Sequence, residues 1–239
     1  MDNMTQVLQG SSKNQDIAAS YFETFSNFLT FTWQFICHPS AVGTPFSCSS
    51  AVAERILAFV PSPSDQIHHY LEVGPGTGAF TQRFIEKLGP NDSLDLVEID
   101  QVFCEALQQQ YGHLSNVHIH HLPIQEWKPS YQYDVVIAAV PLNALRSVDI
   151  LSPILASYEK LTKAGGILSA VEYIGTSSLT NFILWGENQQ SFQDMLTLKI
   201  DFFKKYSFIT EQIWKNLPPA RVFHCRITPL PVSADTICT

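Results

Sequence analysis

The sequence predicts an α/β protein: one doubly wound, open sheet of seven strands, with an N-terminal helical cap and a C-terminal antiparallel hairpin. Three observations predict it. Strand-like apolar runs alternate with helix-like periodic runs between residues 67 and 173. A loop with three glycines joins the first strand-like run to the helix-like run after it. Beyond residue 173 the alternation gives way to one long helix-like run and two strands split by prolines.

Taken in order, residues 1–15 are polar. Residues 16–37 read as a helix, because Phe22, Phe25, Leu29, Trp33 and Ile36 recur at helical spacing. Phe28, Phe31 and Phe35 widen that stripe beyond an ordinary core face, and Pro39 closes the segment. A second short helix is expected over 49–60, before the PSPS run. Residues 1–60 are thus expected to form the cap, and 61–239 the sheet domain. Strands are expected at 67–73, 94–99, 117–121, 133–140 and 166–173, with helices at 79–88, 101–111 and 148–161. A long helix at 188–205 then precedes strands at 208–214 and 221–227, on either side of Asn216-Leu-Pro-Pro219.

The chain has 239 residues, enough for one sizeable domain with a flank. Its 14 Lys and Arg against 22 Asp and Glu leave a formal charge of −8, the wrong overall sign for gripping a phosphate backbone, so nucleic acid is an unlikely partner. Five scattered cysteines (Cys37, Cys48, Cys104, Cys225, Cys238) form no CxxC pair, which argues against a zinc site or a disulfide framework and for a reducing cytoplasm. The start MDNMTQVLQG lacks the pattern of a signal peptide, and no run approaches the length of a membrane span. His118, His120 and His121 lack a further ligand group at metal spacing, so no metal is expected.

The most informative segment is residues 70–79, YLEVGPGTGA. Gly74, Gly76 and Gly78 stand where a buried strand turns into a helix, a junction that lets backbone approach a ligand closely. The next strand ends in Val97-Glu-Ile-Asp100, and Glu98 follows Gly78 by twenty residues, the separation of a carboxylate that receives ribose hydroxyls. A nucleotide-bearing cofactor is implied. Gly74, Gly76 and Ala79 also satisfy the dinucleotide pattern GxGxxG/A. Glu72 tips the balance, since a carboxylate there repels a pyrophosphate and attracts an ammonium.

Loop and acid together resemble the first two motifs of the class I methyltransferases, which implies a Rossmann-like sheet and S-adenosyl-L-methionine as cofactor. Within that class three stretches resemble the bacterial phospholipid N-methyltransferases. They are HPSAVGTPFSCSS at 38–50, DVVIAAVPLN at 134–143 and WKNLPPARV at 214–222. With LTKAGG at 161–166 and Glu172-Tyr173, the likeness covers roughly residues 33–227. It implies methylation of the amine of a phospholipid such as phosphatidylethanolamine. The cofactor would be held by Glu72, Gly74, Gly76, Gly78 and Glu98. Class I enzymes usually carry an acid after the third strand for the adenine amino group. Leu122 stands there in this chain, and Gln125 or a backbone carbonyl is the expected substitute.

Ribosomal RNA adenine dimethyltransferases share the loop and the Glu-x-Asp pattern. Where they carry an Asn-Leu-Pro-Tyr type motif this chain has Ala139-Val-Pro-Leu142, without the Asn or the stacking aromatic. That reading is the runner-up, and a non-catalytic binding protein of the same fold is the third.

Methyl transfer from a sulfonium needs an unprotonated acceptor held in line and shielded from water. Val140, Pro141 and Asn143 are the expected pocket wall for a lipid or small amine, at the carboxyl edge of the sheet. Tyr21 and His38 are candidates for proton acceptor or wall. The aromatic stripe of residues 16–37 is expected to pack on the sheet, with peripheral membrane contact and a lid as alternatives. No Lys or Arg lies between Lys13 and Arg55 to draw that stripe to anionic lipid. The basic stretch from Lys199 to Arg226 holds six cations and two acids, and is expected to be a solvated face.

Overall fold

The computed structural model describes residues 50–145, 147–174, 189–216 and 219–228. The first element, α1 (Ser50–Ile56), is followed by β1 (His69–Val73), α2 (Thr81–Ile85), β2 (Ser93–Glu98), α3 (Gln101–Tyr111), β3 (Val117–His121) and β4 (Tyr133–Ala138). Then come α4 (Val148–Leu161), β5 (Thr162–Tyr173), α5 (Gln189–Tyr206), β6 (Ser207–Ile213) and β7 (Ala220–Arg226). Short 3-10 turns at Ile124–Glu126 and Leu142–Ala144 follow β3 and β4.

The seven strands form one sheet in the order β3-β2-β1-β4-β5-β7-β6, and β7 alone runs opposite to the other six. Its antiparallel strand is not at the edge: β7 inserts between β5 and β6. From β1 the chain first winds outward to β2 and β3, then returns to place β4 on the other side of β1. That reversal opens a crevice at the carboxyl ends of β1 and β4, where open α/β sheets bind ligands.

Helices cover both faces, so the central strands are buried along almost their whole length rather than in alternation. On one face Tyr70, Leu94, Leu96, Val135 and Ile137 join Phe84 of α2 and Leu107 of α3 in a single core. On the other, α4 and α5 pack together, with Phe203 stacked on Phe223 of β7 at 4.2 Å. Caps set where the helices begin. Asp100 accepts from the N–H groups of Val102 and Phe103 at the head of α3, and Ser147 accepts from Asp149 N at the head of α4.

Several expectations need correction. α1 was expected in the cap, yet Val52, Ala53 and Ile56 are buried in the core with Ala220 and Val222, so α1 belongs to the sheet domain. Residues 1–49 of the expected cap, including Tyr21, the aromatic stripe and His38, lie outside the described residues. The helix expected at 79–88 is α-helical only over Thr81–Ile85, because its last turn tightens to bonds such as Leu88 N to Ile85 O. β5 starts four residues earlier than expected. The register jumps from Tyr133–Thr162 to Val135–Ile167, so residues 163–166 form a bulge around Gly165, whose φ is +79°.

One buried polar network braces the sheet away from the crevice. Asp95, 2% exposed, accepts from Tyr131 Oη at 2.7 Å and Tyr133 Oη at 2.9 Å, and lies 2.7 Å from His120 Nε2. Burial alone raises this carboxyl, but those hydrogen bonds and the His120 charge hold it below its usual value. Its stabilisation is therefore present above the unfolded carboxylate pKa and lost as pH falls through the depressed folded one. Asp95→Ala is expected to cost about 2–3 kcal/mol by leaving buried donors unpaired. Urea denaturation at neutral pH checks this, and the gap between the two proteins should close in acid.

Candidate active site

The glycine loop leaves β1 at the crevice. Gly74, Gly76 and Gly78 all have positive φ, at 69°, 56° and 81°. An added Cβ at Gly74 would lie 2.8 Å from Val140 Cγ2, and one at Gly78 would lie 3.1 Å from the Tyr111 ring. At Gly76 it would meet nothing within 4 Å, so the loop is closed at its two ends and open at its middle. The loop's own donors are engaged. Gly74 N donates to Val97 O, Gly78 N to Pro75 O, and Gly76 N to Glu98 Oε2. Three N–H groups that would otherwise cradle a phosphate thus point at protein acceptors.

Two acids flank this loop. Glu72, in β1, is 0% exposed. Its Oε2 accepts from Thr81 Oγ1 of α2 at 2.7 Å, and its Oε1 has no hydrogen-bond partner. Burial pushes its carboxyl up to about 8, against the Thr81 hydrogen bond and with help from the nearby Glu98 charge. Glu98, at the end of β2, is 3% exposed. Its Oε1 accepts from Ile99 N and Asp100 N, and its Oε2 accepts from Gly76 N. Burial raises this carboxyl too, and the three backbone donors offset part of the rise. A carboxylate offers about four acceptor sites, so Glu98 keeps one free, on Oε2. Cys104 of α3 donates to Glu98 O, and burial with the surrounding acids lifts its thiol to about 11, which makes it unreactive at neutral pH.

The other wall of the crevice follows β4. Val140 is buried against Gly74, and Pro141 is half-buried beside it. Asn143 is buried, and its amide is directed into the protein: Nδ2 donates to Tyr173 O, and Oδ1 accepts from Lys199 Nζ. Lys199 in turn pairs with Glu172 Oε1, and Arg221 lies 3.7 Å from Glu172 Oε2. Lys199 was expected on a solvated face and is 5% exposed, because α5 turns it onto the end of β5. Lys204, Lys205, Lys215 and Arg226 are exposed as that reading required. The Lys199–Glu172 pair and the Thr81 contact to Glu72 were not anticipated. Both join residues on different elements, and no short motif marks them.

Gln125 sits exposed in the 3-10 turn after β3, at the same end of the sheet as Glu98. His121 Nε2 contacts Ile99 O at 3.0 Å, and His120 is engaged with Asp95. Among the described residues no group of three or more His, Cys, Asp or Glu is placed to hold a metal ion. Among them, too, no helix is long and apolar enough to cross a membrane.

Such a crevice suits a ligand with a cationic end and sugar hydroxyls, and opposes one that presents a pyrophosphate to the loop. Residues 71–168, the segment from β1 into β5, match a family described as methyltransferase domain. A malonyl-[acyl-carrier protein] O-methyltransferase of Ilyobacter polytropus is 21% identical over 183 residues, 73% of this chain and 66% of that protein. The highly reducing polyketide synthase verA of Penicillium polonicum is 31% identical over 116 residues, 46% of this chain and 4% of the synthase. The chain therefore spans less than two thirds of the length of these relatives. Among solved structures, the N-methyltransferase NodS of Bradyrhizobium japonicum, in complex with S-adenosyl-l-homocysteine, superposes with a TM-score of 0.58 at 15% identity. That match covers 83% of this chain and 99% of NodS. The fold is shared with NodS.

Proposed function

We propose that this chain is an S-adenosyl-L-methionine-dependent methyltransferase of class I. One observation carries the reading. Two buried acids, Glu72 and Glu98, bracket a glycine loop whose three glycine N–H groups are already satisfied within the protein. The residues fit this cofactor. The unpartnered Oε1 of Glu72 is a counter-charge for the methionine ammonium, and the free acceptor site on Glu98 Oε2 is a place for a ribose hydroxyl. The open middle of the loop at Gly76 leaves room for the sugar. Gln125 is the proposed polar neighbour of the adenine.

The cofactor supplies an activated methyl group on a sulfonium; the chain supplies orientation and a dry crevice. Val140 and Pro141 form the wall on the acceptor side. Asn143 holds that wall in place through Tyr173 O and Lys199 rather than touching the acceptor. This assigns it a positioning role in place of the pocket-lining one expected from sequence.

For the acceptor, the relatives favour a malonyl group on an acyl carrier protein or a polyketide. The phospholipid amine is the second reading, and the specific support for it is the WKNLPPARV segment, of which Ala220, Arg221 and Val222 build β7. Transfer of labelled methyl from S-adenosyl-L-methionine tests both. Malonyl-loaded acyl carrier protein, phosphatidylethanolamine liposomes and ribosomal RNA are offered in parallel. Label in the carrier-protein arm supports the first reading, and label confined to liposomes or to RNA replaces it. Cofactor binding without label in any arm would favour a binding protein of this fold.

A further inference from the structure

We infer that ligand capture at the glycine loop is proton-coupled: Glu72 is a neutral acid in the free protein and ionises when a cation docks, releasing a proton. The inference rests on the reading of the loop as a methionine-cofactor site and adds a regulatory property to it.

The geometry is that of a carboxyl group with no counter-ion. Glu72, the residue of β1 two positions before Gly74, is fully buried and has an oxygen without a partner. The groups acting on it are few. α2 contributes the Thr81 hydroxyl, a hydrogen-bond donor without charge. β2 contributes Glu98, another acid. α3 contributes Tyr111, whose phenol is itself raised by burial and by Glu72. Among the described residues no Lys, Arg or His acts on Glu72 to stabilise its charge. A buried charge without a partner is disfavoured, and such a group neutralises instead. A value of about 8 places Glu72 mostly in the protonated form at neutral pH.

An ammonium within about 4–6 Å reverses that balance, because a nearby opposite charge favours the ionised form. The ligand therefore prefers the deprotonated protein. Affinity rises with pH by up to about tenfold per unit while free Glu72 is protonated, and levels off once pH passes the free value near 8. The proton leaves to solvent, so charge balances: one cation is gained and one proton is lost. Glu98 differs in that, although burial raises it too, three backbone N–H groups offset part of the rise.

The test is calorimetric titration of the whole protein with S-adenosylhomocysteine in phosphate and in Tris, whose ionisation heats differ, between about pH 6.5 and 9. The wild type is expected to release close to one proton per ligand near neutral pH. Glu72→Gln is expected to release none, with an affinity flat in pH, and the difference cancels titration of the ligand's own amine. A third protein, Thr81→Val, removes the hydrogen bond that lowers Glu72 and should move the inflection to higher pH. Ligand binding by the wild type with no proton release overturns the inference alone, whether or not Glu72→Gln folds. Equal release by wild type and Glu72→Gln also overturns it. Failure of the wild type to bind at any pH overturns the cofactor reading, and this inference with it.

Discussion

Replacing Glu98 with alanine is expected to weaken S-adenosylhomocysteine binding by about 100-fold or more. Two losses combine. The free acceptor site on Oε2 disappears, and a charge-assisted hydrogen bond to a ligand hydroxyl contributes about 1.5–3 kcal/mol. The loop also loses its brace, since Gly76 N is held by the same oxygen at 2.9 Å. Ile99 N and Asp100 N lose their acceptor too, which loosens the turn from β2 into α3. Each 1.4 kcal/mol is a factor of ten, so about 3 kcal/mol gives the expected drop. Calorimetry measures the affinity, and circular dichroism shows whether the variant is folded. A folded Glu98→Ala protein that binds like the wild type would remove Glu98 from the site.

The second large effect concerns stability. Lys199→Met is expected to destabilise the protein by about 3 kcal/mol, the low end of what breaking a buried ion pair costs. The low end applies because Arg221, 3.7 Å from Glu172, remains as partial compensation. Removing both charges in Lys199→Met/Glu172→Met should recover at least half of the loss, since no buried charge is then left unpaired. Urea denaturation of the wild type, both single variants and the double variant closes the cycle. Strict additivity would mean that the pair does not couple. Because Lys199 also holds Asn143, the single variant should loosen the wall after β4 while leaving the Glu72 and Glu98 side of the crevice intact.

The elements that sequence located best are those whose boundaries carry a local chemical signal. β3, α3 and α4 were placed at their observed bounds, and Asp100 and Ser147 supply the start signals for the two helices. The glycine loop and the two acids beside it were similarly legible, because they stand at fixed spacing in a short stretch of sequence; their role as a cofactor site is the proposal made above. What could not be read depends on contacts between distant residues. A hairpin sequence does not say which of its strands pairs with the existing sheet, so the insertion of β7 next to β5 was hidden. The paired glycines of Lys163-Ala-Gly-Gly166 read as loop, which concealed the bulge at the start of β5. A lysine within a basic stretch reads as solvated, although helical geometry carries Lys199 inward while Lys204 and Lys205 stay out. Thr81 looks like any first-turn residue until the fold sets its hydroxyl against Glu72. The acceptor side thus depends on tertiary packing more than on motif, and its sequence reading was correspondingly coarse.

The central claim is that the glycine loop takes a methionine-bearing nucleoside and refuses a dinucleotide. Calorimetric titration of the wild-type protein with S-adenosylhomocysteine, and separately with NAD, tests it most directly. The account predicts one S-adenosylhomocysteine bound per chain in the micromolar range and no heat of binding with NAD. Binding of NAD with no response to S-adenosylhomocysteine would contradict it, and would mean that the loop donors turn outward to a pyrophosphate despite the two acids beside them.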